Sequence, residues 1–109
     1  MNSLDIQRLE HIQTQCRDIL FYMMLCEHTF DRFEGSAYVQ DVRIALYHIG
    51  ELAERIEPEA PPTFWQEACA WSVFRTTPPD RVDCRALWTA AQNTIPDLLQ
   101  YCEQIKMKQ

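Results

Sequence analysis

The chain has 109 residues, a formal charge of −6, 47% hydrophobic residues and 11% aromatic residues. This length suits one domain, residues 1–109, and the apolar content is typical of a folded core rather than of a disordered chain. Charge-driven nucleic-acid binding is disfavoured, because neutralising phosphates requires an excess of lysine and arginine on the contact face. RNA or a nucleotide as ligand therefore has no support from the net charge.

Apolar residues recur every three or four positions, which predicts amphipathic helices, and the two glycines and the lack of alternation argue against a sheet. The first predicted helix covers residues 3–31, with Asn2 or Ser3 as its N-cap and Gly35 in the loop that follows. The second covers residues 36–56 and ends where three prolines prevent its continuation.

The third predicted helix covers residues 64–75, and Thr63 begins a capping-box pattern at its start. The fourth covers residues 84–106, with Asp83 as its N-cap and a kink at Pro96. Four amphipathic helices joined by short loops predict an all-α, antiparallel up-and-down four-helix bundle.

The cysteines and the apolar runs bear on compartment and cofactor. The five cysteines are widely spaced and form no Cys-x-x-Cys pair, which predicts reduced thiols and neither a zinc site nor another metal or cofactor. No apolar run approaches the roughly 20 residues that span a bilayer, and the first residues lack the order of a signal peptide. We therefore expect a cytoplasmic protein that makes no use of a membrane.

Four short motifs follow one another along the chain: Gly50-Glu51 within the second helix, Trp65 at the start of the third, Asp83 and Trp88 in VDCRALW, and Pro96 in TIPDLL. On these motifs, residues 4–105 resemble the HepT-like branch of the HEPN superfamily. Those are small four-helix proteins, many of them ribonuclease toxins paired with MNT-type nucleotidyltransferase antitoxins. The resemblance implies a HepT-like four-helix bundle, a homodimer, and a nucleotidyltransferase as a kind of partner.

Gly50 predicts a close contact. A glycine inside a helix costs about 1 kcal/mol relative to alanine, so such a glycine usually serves a close approach of another backbone.

The catalytic signature of the family is an arginine usually followed by asparagine, a histidine five residues after the arginine, and often a tyrosine two further on. The histidine would move the proton of an attacking hydroxyl, and the arginine would stabilise the charge on the phosphate. Counted from Trp65 without gaps, these positions fall on Ser72, Val73, Thr77 and Pro79. The resemblance thus implies a degenerate site, and no catalytic residue is assigned.

Four other residues make up a candidate pocket: Arg43, His48, Glu51 and Arg75. Arg43 and His48 have the catalytic spacing, but residues five apart in one helix are rotated by about 140° and do not share a face. Glu51 either belongs to a pocket or pairs with Arg55 one turn later. Arg75 either binds an anion or neutralises the end of the third helix.

The third helix has a wide apolar face with Trp65, Trp71 and Phe74, which predicts a dimer interface. The leading functional prediction is a non-catalytic binding or regulatory module that dimerises and engages a protein partner. Two alternatives stay open. One is a ribonuclease toxin whose catalytic residues are not identified, and the other is a nucleotide- or RNA-binding protein without turnover.

Overall fold

The computed structural model describes residues 1–109, and the chain is helical throughout, without a strand. The α-helices are α1 Ser3–Leu25, α2 Phe30–Glu34, α3 Tyr38–Ala53, α4 Thr63–Ala70, α5 Cys84–Thr89 and α6 Ile95–Met107. A 3-10 segment, Trp71–Arg75, follows α4 directly, a 3-10 turn covers Pro79–Arg81, and a π-turn, Ala90–Thr94, joins α5 to α6. The predicted all-α class is confirmed.

The helices enclose one core. Helix α1 packs along α3 on one side and along α6 on the other, while α3 also packs against α4 and the 3-10 segment. The core contains 23 buried apolar residues, and burial of such side chains is the main force that stabilises a small domain. The molecule measures 41 × 27 × 21 Å, and none of its helices has the length and apolar character that crossing a bilayer requires.

Helix α1 is shorter than predicted. It ends at Leu25 rather than at Asp31, because Glu27 and His28 adopt left-handed backbone conformations with φ of 54° and 53°. L-residues seldom adopt such angles, and two in succession terminate a right-handed helix. The chain then turns into α2, which places Phe33 in the core. The second predicted helix is likewise shorter, since α3 covers Tyr38–Ala53.

The predicted third helix changes form along its length. Its first part is α4, but from Trp71 onward the backbone tightens into the 3-10 segment. A 3-10 segment has a longer rise per residue and weaker hydrogen-bond geometry than an α-helix, and it is common where a helix ends. The two prolines that follow, Pro78 and Pro79, prevent the helix from continuing.

The fourth predicted helix is interrupted by the π-turn. The prediction was a single helix with a kink at Pro96, whereas the structure has α5, the π-turn and α6. Proline lacks the N–H that an α-helix interior requires, and its ring crowds the carbonyl four residues before it. Pro96 lies in the first turn of α6, where a missing N–H is tolerated, and the π-turn precedes it.

Two of the predicted helix caps are confirmed and one is wrong. The Asn2 side chain accepts a hydrogen bond from the backbone N–H three residues later at 2.8 Å, and Asp83 does the same at 3.1 Å. Thr63, by contrast, is the first residue of α4, and Pro62 precedes it as the N-cap without a side-chain hydrogen bond. The capping box therefore does not form.

Candidate functional site

The backbone of α3 at Gly50 lies close to the backbone of the 3-10 segment and of the end of α4, and we call this contact the Gly50 junction. A Cβ atom on Gly50 would clash with the backbone nitrogen of Ser72 and lie 2.9 Å from the carbonyl carbon of Trp71. It would also lie 3.1 Å from the carbonyl oxygen of Ala68. Backbone atoms cannot move aside as the end of a flexible side chain can. The close approach that Gly50 predicted is therefore present.

The positions at which the sequence resemblance would place catalytic residues lie in and after the 3-10 segment, and the hydroxyls of Ser72 and Thr77 are bonded within the protein. Ser72 Oγ donates at 2.7 Å to Oε1 of Glu54, the residue that follows α3. Thr77 Oγ1 donates to the carbonyl oxygen of Val73 at 3.0 Å. Pro79 is exposed and has no side-chain polar group. None of these residues offers a cation or a proton-transfer group to a ligand.

Arg43 lies two turns before Gly50 on α3 and also bonds to the 3-10 segment. Its Nη1 donates to the carbonyl oxygen of Phe74 at 2.7 Å, and its Nε donates to Gln40 Oε1 at 2.7 Å. The guanidinium also lies 6.0 Å from the centre of the Tyr47 ring. Carbonyl groups at the end of a helical segment lack intrahelical donors, so this bond serves the C-terminal part of the 3-10 segment. Arg43 therefore has a structural role.

His48 lies away from Arg43, in a groove between α1 and α3. The groove has a volume of about 220 Å³ and is lined by His11, Gln15, His48, Glu51, Leu52 and Arg55. Arg43 is not among these residues, because it bonds to the 3-10 segment on another side of α3. The structure thus separates the two residues that have the catalytic spacing, as the rotation between them along one helix requires.

Glu51 joins the groove to the Gly50 junction. Its Oε2 accepts from Arg75 Nη1 at 3.2 Å, and this ion pair links α3 to the last residue of the 3-10 segment. The predicted pairing of Glu51 with Arg55 does not form, and Arg55 takes part in no ion pair. Glu51 Oε1 is buried without a hydrogen-bond partner, which is a cost for a carboxylate oxygen.

The four residues of the candidate pocket therefore do not line one pocket. Arg43 and Arg75 bind the 3-10 segment to α3, His48 faces the groove, and Glu51 contacts both. The signal for the groove was weak in the sequence, because His11 and His48 come from helices far apart in the chain. No feature of the sequence pointed to Glu54, the hydrogen-bond partner of Ser72.

Cys69 is a thiol beside the Gly50 junction. Burial raises the pKa of the Cys69 thiol above its ordinary value, and the Glu54 carboxylate raises it further. A thiol attacks as its thiolate, so a raised pKa makes it a poor nucleophile at neutral pH. Covalent catalysis by Cys69 is therefore disfavoured. Nor do His, Cys, Asp and Glu side chains form a group of three or more that could hold a metal ion.

The aromatic residues predicted for a dimer interface lie mostly in the core. Trp65 is 3% exposed and Trp71 is 5% exposed, so each has little surface left for a second subunit. Trp65 packs edge-on against Tyr101 with 5.7 Å between ring centres. Only Phe74 is partly exposed, and its neighbour Val73 is 59% exposed. Trp65 and Trp71 thus pack within the single chain, and of the three residues predicted for a subunit interface Phe74 has the most surface left.

No protein-family model, curated protein or solved structure matches this chain. What the chain does must therefore be inferred from its own residues and their geometry.

Proposed function

We propose that the chain is a non-catalytic binding or regulatory module built on a HepT-like four-helix bundle of the HEPN type. In this proposal α1, α3, α4 with the 3-10 segment, and α5 with α6 are the four helices of the bundle. The module dimerises and engages a protein partner, for which a nucleotidyltransferase is the kind of protein that the resemblance suggests. The segment that cleaves RNA in such toxins here holds the fold together.

One observation carries this proposal. The residues at the positions of the catalytic arginine and histidine, Ser72 and Thr77, have hydroxyls that bond within the protein. The nearest guanidinium groups, of Arg43 and Arg75, are bonded to the Phe74 carbonyl and to Glu51. No imidazole lies among the residues that form the Gly50 junction. A ribonuclease of this type needs both a proton-transfer group and a cation beside the scissile phosphate.

An RNA cleavage assay tests the absence of catalysis. We expect the purified protein to leave a set of labelled RNA oligonucleotides intact, at the level of an identically purified blank. The chain has only three histidines, so the variants His11→Ala, His28→Ala and His48→Ala cover every imidazole. Cleavage by the wild-type protein that disappears in one of these variants would overturn the proposal.

Sedimentation velocity tests the dimer. We expect a mass twice the 12.9 kDa of one chain. Val73 and Phe74 form the exposed apolar part of the 3-10 segment, and Val73→Asp should give a monomer because it would place a charge in the subunit contact. Met107 is 86% exposed near the other end of the chain, so Met107→Asp is the matched control and should remain a dimer. A wild-type monomer would refute the dimer.

A second candidate function is a ribonuclease that uses the α1–α3 groove. The observation that favours it is that His11 and His48 line the same groove as Arg55, whose guanidinium takes part in no ion pair. Two imidazoles and a cation are a set of groups that can cleave a phosphodiester. Against it, Glu51 brings a negative charge into the same groove. Loss of cleavage in both His11→Ala and His48→Ala would establish this candidate.

A further inference from the structure

The outer side of α1 and α3 carries exposed apolar side chains beside two carboxylates. We call this surface the aromatic-acidic face and define it by Asp18, Phe21, Tyr22, Leu25, Tyr38 and Asp41. Phe21 is 52% exposed and Leu25 is 44% exposed. The four α1 residues are spaced by three, four and seven positions from Asp18, so they share one side of the helix.

The aromatic rings of this face connect the two helices. The rings of Tyr22 on α1 and Tyr38 on α3 are stacked, with 5.4 Å between their centres and 23° between their planes. Phe21 extends the row, with 6.5 Å between its ring centre and that of Tyr22. Stacked and tilted rings at these distances attract each other, so they form a preorganised apolar surface. Preorganised rings lose little conformational entropy when a partner binds.

The two carboxylates of the face lie near Tyr22 and have no cation of their own. Burial raises the pKa of the Tyr22 hydroxyl, and the charges of Asp41 and Asp18 raise it further. Neither aspartate takes part in an ion pair. The neighbouring Arg17 is turned to the other side of α1, where it pairs with Glu103 on α6 at 3.6 Å. The aromatic-acidic face therefore presents unneutralised negative charge.

We propose that the aromatic-acidic face binds a helical segment of a partner protein that presents lysine or arginine side chains next to apolar ones. Apolar side chains of that segment would cover Phe21 and Leu25, while its cations would pair with Asp18 and Asp41. Opposite charges across an interface increase the association rate and fix the register. A cation above the paired tyrosine rings would gain cation–π attraction as well. This assignment rests on the proposed binding role and specifies which kind of partner segment would bind.

A second copy of the chain does not fit this face. In a symmetric dimer the same patch meets itself, so the contact would bring four aspartates together without a cation among the residues that define the face. Like charges placed opposite each other in an interface cost binding free energy. The proposed subunit contact at Val73 and Phe74 belongs to the 3-10 segment, which does not contact α1 substantially. Dimer formation and partner binding are thus proposed to use different residues.

The test uses a synthetic peptide probe, a fluorescein-labelled amphipathic helix with leucine on one face and lysines along its borders. We expect the wild-type protein to bind this peptide in a fluorescence anisotropy titration. The same peptide with glutamate in place of lysine should show no binding. Asp18→Asn combined with Asp41→Asn should weaken binding about tenfold, because two partly exposed ion pairs are lost. Asp80→Asn combined with Asp97→Asn removes the same charge at exposed sites elsewhere and should change affinity less than twofold.

A second pair of variants separates the apolar contribution. Phe21→Ser should weaken peptide binding about tenfold, since a large exposed ring would be lost from the contact. Met107→Ser removes another exposed apolar side chain and should leave the affinity unchanged. Circular dichroism melting of each variant establishes that it folds.

Three results would overturn the proposed surface. Equal weakening by the two aspartate pairs would show that the peptide responds to net charge alone. Equal binding of the lysine and glutamate peptides would remove the charge complementarity. A change of oligomeric state in the Asp18→Asn, Asp41→Asn protein would assign the face to a second copy. RNA cleavage by the wild type would refute the proposed function, whereas it would not alter any of these peptide results.

Discussion

Helix α3 has two contrasting surfaces, one against the 3-10 segment and one beside α1. Towards the 3-10 segment it lies so close at Gly50 that no side chain fits, and Arg43 and Ser72 form hydrogen bonds beside this contact, whereas Glu51 Oε1 is buried without a partner. Beside α1, where the stacked rings of Tyr22 and Tyr38 connect the two helices, Asp18 and Asp41 are exposed and take part in no ion pair. Most polar side chains at the close contact thus bond within the fold, whereas the two aspartates on the exposed surface are free for binding.

The largest expected effect is that of Gly50→Ala. The new Cβ would overlap backbone atoms of Ser72 and Trp71, so α3 and the 3-10 segment would have to separate. Overpacking of this kind typically costs about 1–3 kcal/mol, and contacts with backbone atoms place this case at the upper end, so we expect a net loss of about 2 kcal/mol after the gain of about 1 kcal/mol in helix propensity. Urea denaturation measures the free energy of unfolding. Gly35→Ala is the control, since nothing lies within 4 Å of its added Cβ, and it should change stability by less than about 0.5 kcal/mol. Equal effects of the two substitutions would contradict the close contact.

Arg43→Ala should have the next largest effect. It removes a charged donor from the Phe74 carbonyl and from Gln40, and hydrogen bonds of charged groups contribute about 1.5–3 kcal/mol. Because the arginine is only partly buried, we expect a loss near the lower value in the free energy of unfolding. Arg32→Ala is the matched control, since its guanidinium pairs with Glu27 at the surface and such pairs contribute about 0–1 kcal/mol. A larger effect for Arg32 than for Arg43 would argue against the Gly50 junction as a stabilising unit.

A smaller effect is expected for the pair of Ser72 and Glu54. Ser72→Ala and Glu54→Ala should each cost about 0.5–1 kcal/mol, because their hydrogen bond joins the 3-10 segment to the end of α3 near the surface. A double-mutant cycle isolates the interaction of the two side chains, and the double variant should cost less than the sum of the two single variants by about the same amount. Strictly additive effects would show that the two residues do not bond in solution, and would free the Ser72 hydroxyl for a ligand.

The smallest expected effect concerns the aromatic-acidic face and is a shift in the pKa of Tyr22. The Tyr22 hydroxyl should titrate above the ordinary tyrosine value of 10.0, because burial and the two carboxylates disfavour the phenolate. Asp41→Asn removes one negative charge, so it should lower the pKa of Tyr22, though not to the ordinary value because burial remains. NMR titration of the ring resolves Tyr22 among the four tyrosines. Asp97→Asn should leave this pKa unchanged, and an equal shift in both variants would place the Asp41 carboxylate away from Tyr22.

The pKa of Tyr22 also makes stability depend on pH. The unfolded chain releases the Tyr22 proton near 10, whereas the folded chain holds it to higher pH. Above that value the folded state binds more protons than the unfolded state, so the free energy of unfolding falls as pH rises. Asp41→Asn should reduce this fall, and equilibrium unfolding at a series of alkaline pH values measures the difference.

Local chemistry in the sequence predicted part of the fold correctly. The period of the apolar residues predicted helices, Asn2 and Asp83 predicted caps, and Gly50 predicted a close backbone contact. The end of α1 was missed because Glu27 and His28 adopt left-handed angles that their side chains do not favour. Tertiary packing determines such angles, and periodicity does not report them.

The candidate site was harder to predict than the fold. Arg43, Glu51 and Arg75 were singled out by type and spacing, but their partners depend on how closely α3 approaches the 3-10 segment. The same dependence hides the bond of Ser72 to Glu54, since the two residues belong to different helices. The sequence did not show how deeply Trp65 and Trp71 are buried within the chain. A wide apolar face on a helix has the same sequence pattern whether it packs against the same chain or against a second subunit.

One measurement tests most directly the contrast between the Gly50 junction, where side chains bond within the fold, and the aromatic-acidic face, which is proposed to bind a partner. It is an NMR titration of the isotope-labelled protein with a single-stranded RNA oligonucleotide and, separately, with the lysine-bordered peptide. We expect RNA to leave the backbone amide signals of residues 72–77 unchanged, and the peptide to shift the signals around Phe21 and Asp41. Saturable RNA-induced shifts at residues 72–77, with no peptide-induced shifts on the aromatic-acidic face, would contradict the account.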